Sequence, residues 1–400
     1  MTLTKKKLPA DIPTGGLYIH IPFCVRKCPY CDFYSTTDET LKPDFIKMLI
    51  REMENVGRTF FPIDSLYIGG GTPSLMSASD IGRIIETAHR VFTLLPDVEI
   101  TIEVNPGTIG FQQLKDLRHA GINRINIGVQ SFHDSQLQFL GRIHSEKEAR
   151  LAIKYARQTE YPHLGLDLMY GISGQTKQHW LKDLQEAVGF TPEHLSCYML
   201  TYEPHTPLDN DRKKGRFVLP DDGHLADLFE TTHRFLKDNG FDPYEISNFE
   251  RSDPNGHHTH RSRHNQKYWT YAPYLGFGPS AHSFIEPVRH WNVRDIKTYI
   301  TQLDAWRSPV AGKETLTREQ QMIEWIYLGL RQTDGISIEG FQQKFNTDFY
   351  ILFGSLVADL TKKGLMKANE RVCGLTTAGM LFCDSITDRW VSYGLNNLTA

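Results

Sequence analysis

Gly16-Leu-Tyr-Ile-His-Ile-Pro22-Phe-Cys24-Val-Arg-Lys-Cys28-Pro-Tyr-Cys31 runs a strand-like apolar stretch directly into three cysteines at CxxxCxxC spacing. Thiolates are soft ligands, and three within one short loop suit an iron–sulfur cluster, each holding one iron while the backbone winds around it. A [4Fe–4S] cube held by three thiolates leaves one iron open to a small molecule and able to hand it an electron. The same triplet also suits a partial zinc site completed by a histidine, or thiols that are simply buried together. Structural zinc usually brings a second ligand pair, and no further CxxC follows.

Outward from the triplet, helix and strand periodicities alternate. Leu41 to Phe60 repeats Phe45, Met48, Leu49, Met53 and Val56 at helical spacing, and Ile63 to Ile68 is a short strand ending in Gly69-Gly70-Gly71-Thr72-Pro73. A helix is expected over Ser77 to Phe92, and a strand over Val98 to Val104 that Asn105-Pro106-Gly107 stops. The beat continues with helix Phe111 to His119, strand Arg124 to Val129, helix Glu146 to Gln158, strand His163 to Tyr170, helix Lys177 to Val188, strand His194 to Leu200 and helix His224 to Asn239.

Strands alternating with helices in one series predict an α/β fold, a partial (β/α)6 TIM-like barrel over residues 1–240. Such barrels place their chemistry at the C-terminal strand ends. Cys24 follows the first strand, the glycine run the second, Glu103 and Gln130 close the third and fourth, and Asp167 lies near the end of the fifth, so all fall on one rim.

Residues 241–310 change to short aromatic and His-rich pieces, read as an extension packed beside the barrel. Residues 311–400 predict a small α+β winged-helix-like domain. Its helices are expected over Arg318 to Leu330, Ile338 to Phe345 and Ile351 to Lys363, and its strands around Leu365 to Met366 and Val372 to Leu375. Lys362, Lys363 and Lys367 read as a solvated face, not a DNA contact.

Four hundred residues exceed what one core usually serves, which also favours more than one domain. A formal charge of −3 gives no reason to expect nucleic acid or an anionic membrane as partner. Met1 to Pro13 carries Lys5, Lys6 and Lys7 without a following apolar region, so no secretory leader is expected, and no run of 18 apolar residues occurs. Cys197, Cys373 and Cys383 are too scattered for a disulfide framework and read as small buried hydrophobes. A cytoplasmic protein is expected.

A glycine-rich strand end is common by itself. One strand after a Cys triplet, GGGTP resembles the radical S-adenosylmethionine (SAM) enzymes, in which the open iron binds the amino and carboxylate groups of SAM. Tyr18-Ile-His-Ile-Pro-Phe-Cys24, GGGTP, IEVNPG, GVQSF, LGRIH and LDLMYG are similar to the coproporphyrinogen III oxidase-like branch. The resemblance implies a [4Fe–4S] cluster on Cys24, Cys28 and Cys31 and a SAM site of Tyr18, Tyr30, Gly70, Gly71, Thr72, Glu103, Gln130, Arg142 and Asp167. By it, Tyr30 lies against the adenine and Tyr18 near the sulfonium, Glu103 and Arg142 hold the amino acid end, and Gln130 and Asp167 take the ribose hydroxyls. The types suit these roles, since Arg pairs a carboxylate bidentately and Asp or Gln accepts from hydroxyls.

In the oxygen-independent oxidases a further cysteine gives CxxxCxxCxC, but that position here is Phe33. Cys31-Asp32-Phe33 and the HNxxYW stretch His264-Asn265-Gln266-Lys267-Tyr268-Trp269 resemble the HemW heme chaperone family. That resemblance implies a protein that binds heme and delivers it to apo heme proteins such as respiratory enzymes, with peripheral membrane contact and a monomer or SAM-promoted homodimer as expectations. The alternative is an enzyme, oxygen-independent coproporphyrinogen III oxidase. A heme contact is expected in His257-His258-Thr259-His260 or, first, at His264, with Tyr268 and Trp269 packing on the porphyrin.

Overall fold

The computed structural model of the chain describes residues 13–398, with side chains through 392. The lysine-bearing tract before Pro13 lies outside the described residues. Six strands, β1 (Gly15–Ile21), β2 (Ile63–Gly70), β3 (Leu94–Val104), β4 (Arg124–Gln130), β5 (His163–Tyr170) and β6 (His194–Met199), pair parallel in chain order. Helices α1 (Lys42–Val56), α2 (Ala78–Val91), α3 (Phe111–His119), α4 (Asp134–Phe139), α5 (Glu146–Gln158), α6 (Lys177–Gly189), α7 (Pro207–Lys213) and α8 (Asp222–Asp238) connect or follow them.

The strands read as near-continuous apolar runs because the sheet is covered on both faces. Leu17, Ile19 and Ile21 of β1, Leu66 and Ile68 of β2, and Ile125 and Ile127 of β4 are fully buried. Each such side chain contributes about 1.5–3 kcal/mol, so this layer is what holds the rim residues in fixed register. Side-chain caps start the helices: Ser145 and Glu148 form a reciprocal box at α5, and Ser77 and Asp221 cap α2 and α8.

The remaining elements are β7 (Phe241–Pro243), β8 (Asn248–Arg251), α9 (Arg263–Trp269), β9 (Tyr274–Phe277), β10 (His282–Ile285), β11 (Val288–Asn292), α10 (Ile296–Asp304) and β12 (Val310–Thr315). The segment expected as an extension beside the barrel adds strands to both edges of its sheet. β9 pairs parallel with β1, and β10, β11 and β12 continue antiparallel from it, while β8 and β7 extend the other edge from β6. The sheet therefore runs β12-β11-β10-β9-β1-β2-β3-β4-β5-β6-β8-β7. These strands are too short and mixed for period-two reading, and their pairing to β1 is a non-local fact.

Because β12 belongs to this sheet, the boundary expected after residue 310 moves past Thr315. The C-terminal domain holds α11 (Arg318–Arg331), β13 (Ile336–Ser337), α12 (Ile338–Phe345), α13 (Phe349–Lys362), β14 (Met366–Ala368), β15 (Val372–Leu375), α14 (Thr377–Met380) and α15 (Cys383–Leu398), with sheet order β13-β15-β14. Its core joins Phe341, Phe349, Phe353 and Trp390. Among the described residues no helix is long and apolar enough to cross a membrane.

Candidate functional site

The cysteine loop leaves β1 and is tied down at several points. Cys24 N–H donates to the Thr36 carbonyl (2.9 Å), and Cys31 N–H to that of Cys28 (3.1 Å). Arg26 reaches across to the carbonyls of Gly141 (2.7 Å) and Arg142 (3.0 Å), and Leu208 N–H donates to the Pro29 carbonyl (2.9 Å). All three thiols are free and half-buried, and burial raises the pKa of Cys31.

The glycine run lies directly beneath this loop. Gly71 N–H donates to Ile21 O and Thr72 N–H to Phe23 O, both at 2.7 Å, and the Thr72 hydroxyl donates to Cys24 Sγ at 3.5 Å. A Cβ on Gly71 would stand 2.7 Å from Phe23 O and 3.1 Å from Cys24 Sγ. Gly70 has φ +113°, and a Cβ there would lie 2.6 Å from His20 Nδ1. Neither position admits a side chain.

Glu103 ends β3 beside these glycines. Its Oε1 accepts from the Tyr67 hydroxyl (2.7 Å) and its Oε2 from Gly70 N–H (3.1 Å). Burial outweighs both bonds and lifts its pKa to about 7, with Asp167 adding to the rise. Asp167 accepts from Asn126 (2.8 Å) and is likewise raised by burial, to about 6. Two carboxylates in one lumen make an electronegative site for a cationic group.

Arg142 supplies the opposite charge on the other side. Its guanidinium donates to Cys28 Sγ (3.7 Å), the Tyr30 hydroxyl (3.4 Å) and the Gly128 carbonyl (3.0 Å). Gln130 takes φ +66° at the end of β4, and a Cβ on Gly128 would meet both Gln130 Nε2 and Arg142. Gln130 Oε1 and Arg142 Nε are buried with no partner. Buried polar atoms are normally satisfied, and these two are suited to meeting an incoming polar group.

The rim residues Tyr30, Gly70, Gly71, Thr72, Glu103, Gln130, Arg142 and Asp167 are thus brought together around the cysteine loop. Tyr18 lies on β1 directly opposite Tyr67, its hydroxyl hydrogen-bonded to His20 Nδ1 (3.0 Å). His20, in turn, is bonded through Nε2 to the Tyr34 carbonyl and is kept neutral by burial, with a pKa of about 4.

The expected heme residues do not join them. His264 is 1% exposed, with Nδ1 at 3.1 Å from Ser65 Oγ and Nε2 at 3.0 Å from the Tyr268 hydroxyl. Both ring nitrogens of His264, the first residue expected to contact heme, are engaged within the protein. Trp269 lies under the Arg331 guanidinium of α11 (4.7 Å), and its carbonyl accepts from Gln332 (2.9 Å). Helix α9 sits against the N-terminal strand ends: Glu99 caps it through the N–H groups of Arg263 and His264, and Lys267 pairs with Asp64 and Thr14. Tyr268 packs edge-on against Tyr274. HNxxYW therefore plugs the floor of the barrel.

Tyr67, His20 and Asn126 belong to the site but were not singled out from the sequence. Period-two alternation is the signal that finds them, since Tyr67 and Gly69 share a face, as do Tyr18 and His20.

Residues 18–187 match the model of the radical SAM superfamily, and residues 316–382 that of the HemN C-terminal domain. The chain is 35% identical over 373 residues to Heme chaperone HemW of Bacillus subtilis (strain 168), covering 92% of this chain and 97% of that protein. The chain belongs to the HemW family. Heme chaperone HemW of Escherichia coli (strain K12) is 40% identical over 278 residues, covering 68% of this chain and 70% of its own. Among solved structures, coproporphyrinogen III oxidase (HemN) from Escherichia coli superposes with a TM-score of 0.81 at 25% identity, over 96% of this chain and 91% of that one. This HemW-family chain thus has the α/β radical SAM fold with a small C-terminal domain.

Radical SAM membership implies a [4Fe–4S] cluster and SAM, and the residues fit both. Three free thiols lie on one loop, the soft donor set that such a cluster takes. The cradle beside them excludes side chains at Gly70 and Gly71 and presents unpaired polar atoms. Phe33, where the oxidase pattern has its further cysteine, is 67% exposed.

Proposed function

We propose that this protein is a heme chaperone: it binds heme and passes it to apo heme proteins, respiratory enzymes among them. The observation that carries the reading is similarity to Heme chaperone HemW of Bacillus subtilis along 97% of that protein's length. Phe33 in place of a cysteine supports it over the oxidase.

Cys24, Cys28 and Cys31 would hold the cluster, which when bound supplies an open iron for SAM. Glu103 would take the SAM ammonium, its carboxylate exchanging burial for an ion pair. Arg142 would face the SAM carboxylate, Tyr30 the adenine and Tyr18 the sulfonium, and Gln130 Oε1 and Asp167 would accept from the ribose hydroxyls. Gly70, Gly71 and Thr72 would let the backbone approach. In this reading SAM acts as a structural or switching ligand.

The heme contact moves from His264 to the loop that precedes α9. His257 and His258 are exposed there, with His258 59% exposed and bonded through Nδ1 to Glu250 (2.6 Å). A histidine whose Nδ1 faces a carboxylate keeps Nε2 free and basic for iron.

Titration of the reconstituted protein with hemin tests this. A Soret shift that is lost in the His257→Ala/His258→Ala double variant, and transfer of heme to an apo heme protein, are expected. Absence of both, with protoporphyrinogen formed from coproporphyrinogen III under anaerobic reducing conditions, would replace the chaperone by the oxidase.

A further inference from the structure

The ring of His264 forms a continuous stack with the two tyrosines of the neighbouring strands. Its centroid is 5.2 Å from that of Tyr67 and 6.2 Å from that of Tyr18, each at 26° between planes, and Tyr18 and Tyr67 stack on each other at 6.3 Å. Above this stack the two hydroxyls diverge. Tyr67 donates to Glu103, whereas Tyr18 is bonded to His20, the ring that a Cβ on Gly70 would strike.

His264 is held at both of its ring nitrogens. Ser65 Oγ and the Tyr268 hydroxyl hold its two nitrogens, and a Cβ on Gly16 would lie 2.9 Å from its Nδ1. Buried beside Lys267, the ring is neutral, with a pKa of about 3, so it presents a flat aromatic face and no charge. A ring fixed at its edges and packed on its face sets the height of whatever stacks on it.

We infer that His264 is a positioning residue for the SAM site: its ring seats Tyr67 and Tyr18 so that one hydroxyl orients Glu103 and the other holds His20 against Gly70. The inference rests on the reading of Glu103 as the anchor of the SAM ammonium. It separates the histidine of HNxxYW from any bond to iron and gives it a role at the opposite end of the barrel. Removing the flat ring opens space below Tyr67, and the hydroxyl loses its aim at Glu103.

Equilibrium binding of SAM to the full-length reconstituted protein tests it, with His264→Phe, His264→Leu, Tyr67→Phe and Glu103→Ala compared after their folding is verified by circular dichroism. His264→Phe keeps the stack and cannot ligate iron; it is expected to bind SAM within about threefold of wild type, while His264→Leu, which fills the volume without a flat face, loses about tenfold. Tyr67→Phe should lose about as much, and His264→Leu/Tyr67→Phe no more than the worse single variant, because both act through one hydroxyl. The hemin Soret band should be the same in His264→Phe as in wild type. Native SAM affinity in His264→Leu, or a Soret band lost in His264→Phe, overturns the inference. If Glu103→Ala itself binds SAM as wild type does, the anchor reading fails instead, and the His264 variants then have no carboxylate to act through.

Discussion

Glu103→Gln should make the SAM-free protein more stable at neutral and alkaline pH while weakening SAM binding. Burial raises the carboxyl from its ordinary value of 4.5 to about 7. At 1.36 kcal/mol per unit this is about 3 kcal/mol of strain on the ionised form, and partial exposure to the lumen reduces it to about 1–2 kcal/mol. Because the folded pKa lies above the unfolded one, the native state holds the extra proton between pH 4.5 and about 7. Stability therefore falls as pH rises through that window and levels off above it.

Glutamine has no such slope, and it retains the geometry. Its carbonyl accepts from Gly70 N–H while its amide donates to the Tyr67 oxygen. Relief of the repulsion on Asp167, itself raised to about 6, acts in the same direction. Thermal unfolding in buffers from pH 4.5 to 8.5 should show the two melting curves converging at the acid end. They should separate by about 1–2 °C in favour of the variant above pH 7. SAM affinity should move oppositely, falling about 10- to 100-fold in the variant as the charge-assisted bond is lost. In wild type it should rise about tenfold from pH 6 to pH 8 as Glu103 ionises. A variant less stable than wild type at pH 8, or a stability difference that does not change with pH, would refute the reasoning.

Substitution of Cys24, Cys28 or Cys31 by Ala should each abolish the broad visible absorbance of anaerobically reconstituted protein; undiminished iron content in all three variants would refute the ligand assignment. Gly70→Ala, with φ +113° and a Cβ 2.6 Å from His20, should cost about 1–3 kcal/mol of stability and most SAM affinity. Gly174→Ala is the control, since Gly174 also has positive φ but nothing within 4 Å, so it should carry the backbone strain and leave SAM binding unchanged.

The barrel was legible because its strands are apolar and its helices periodic. Phe111–His119, Glu146–Gln158 and His163–Tyr170 fall where the periodicity put them. Other boundaries moved for local reasons: α1 stops at Val56 because Gly57 turns with φ +69°, and β3 begins at Leu94, ahead of a register shift against β2. Helices α4 and α7 are too short to show a period, and α15 follows Cys383 without the strong apolar pattern that would have announced it. The rim residues could be found in the sequence because strand ends can be counted. Their partners could not, since Tyr67 meeting Glu103, or Arg142 turning toward Cys28 and Tyr30, depends on contacts between strands.

HNxxYW marks the family, and its side chains pack into the barrel end for a physical reason. Histidine, tyrosine and tryptophan are the side chains that would cradle a porphyrin, and they are also those that fill a barrel end where some polar atoms must be satisfied. In α9 each position faces a different body: His264 the lumen, Lys267 the starts of β1 and β2, Tyr268 the ring of Tyr274 in β9, and Trp269 the arginine of α11. One short helix thus joins the barrel floor, the sheet extension and the C-terminal domain. Its histidine, through the tyrosine stack, reaches Glu103 at the other end of the strands. The exposed His257–His258 loop, proposed above for heme, precedes this helix by a few residues, so the two ligands would be served by adjoining stretches of chain, the loop on one side and the ring packed against the Glu103-bonded tyrosine on the other.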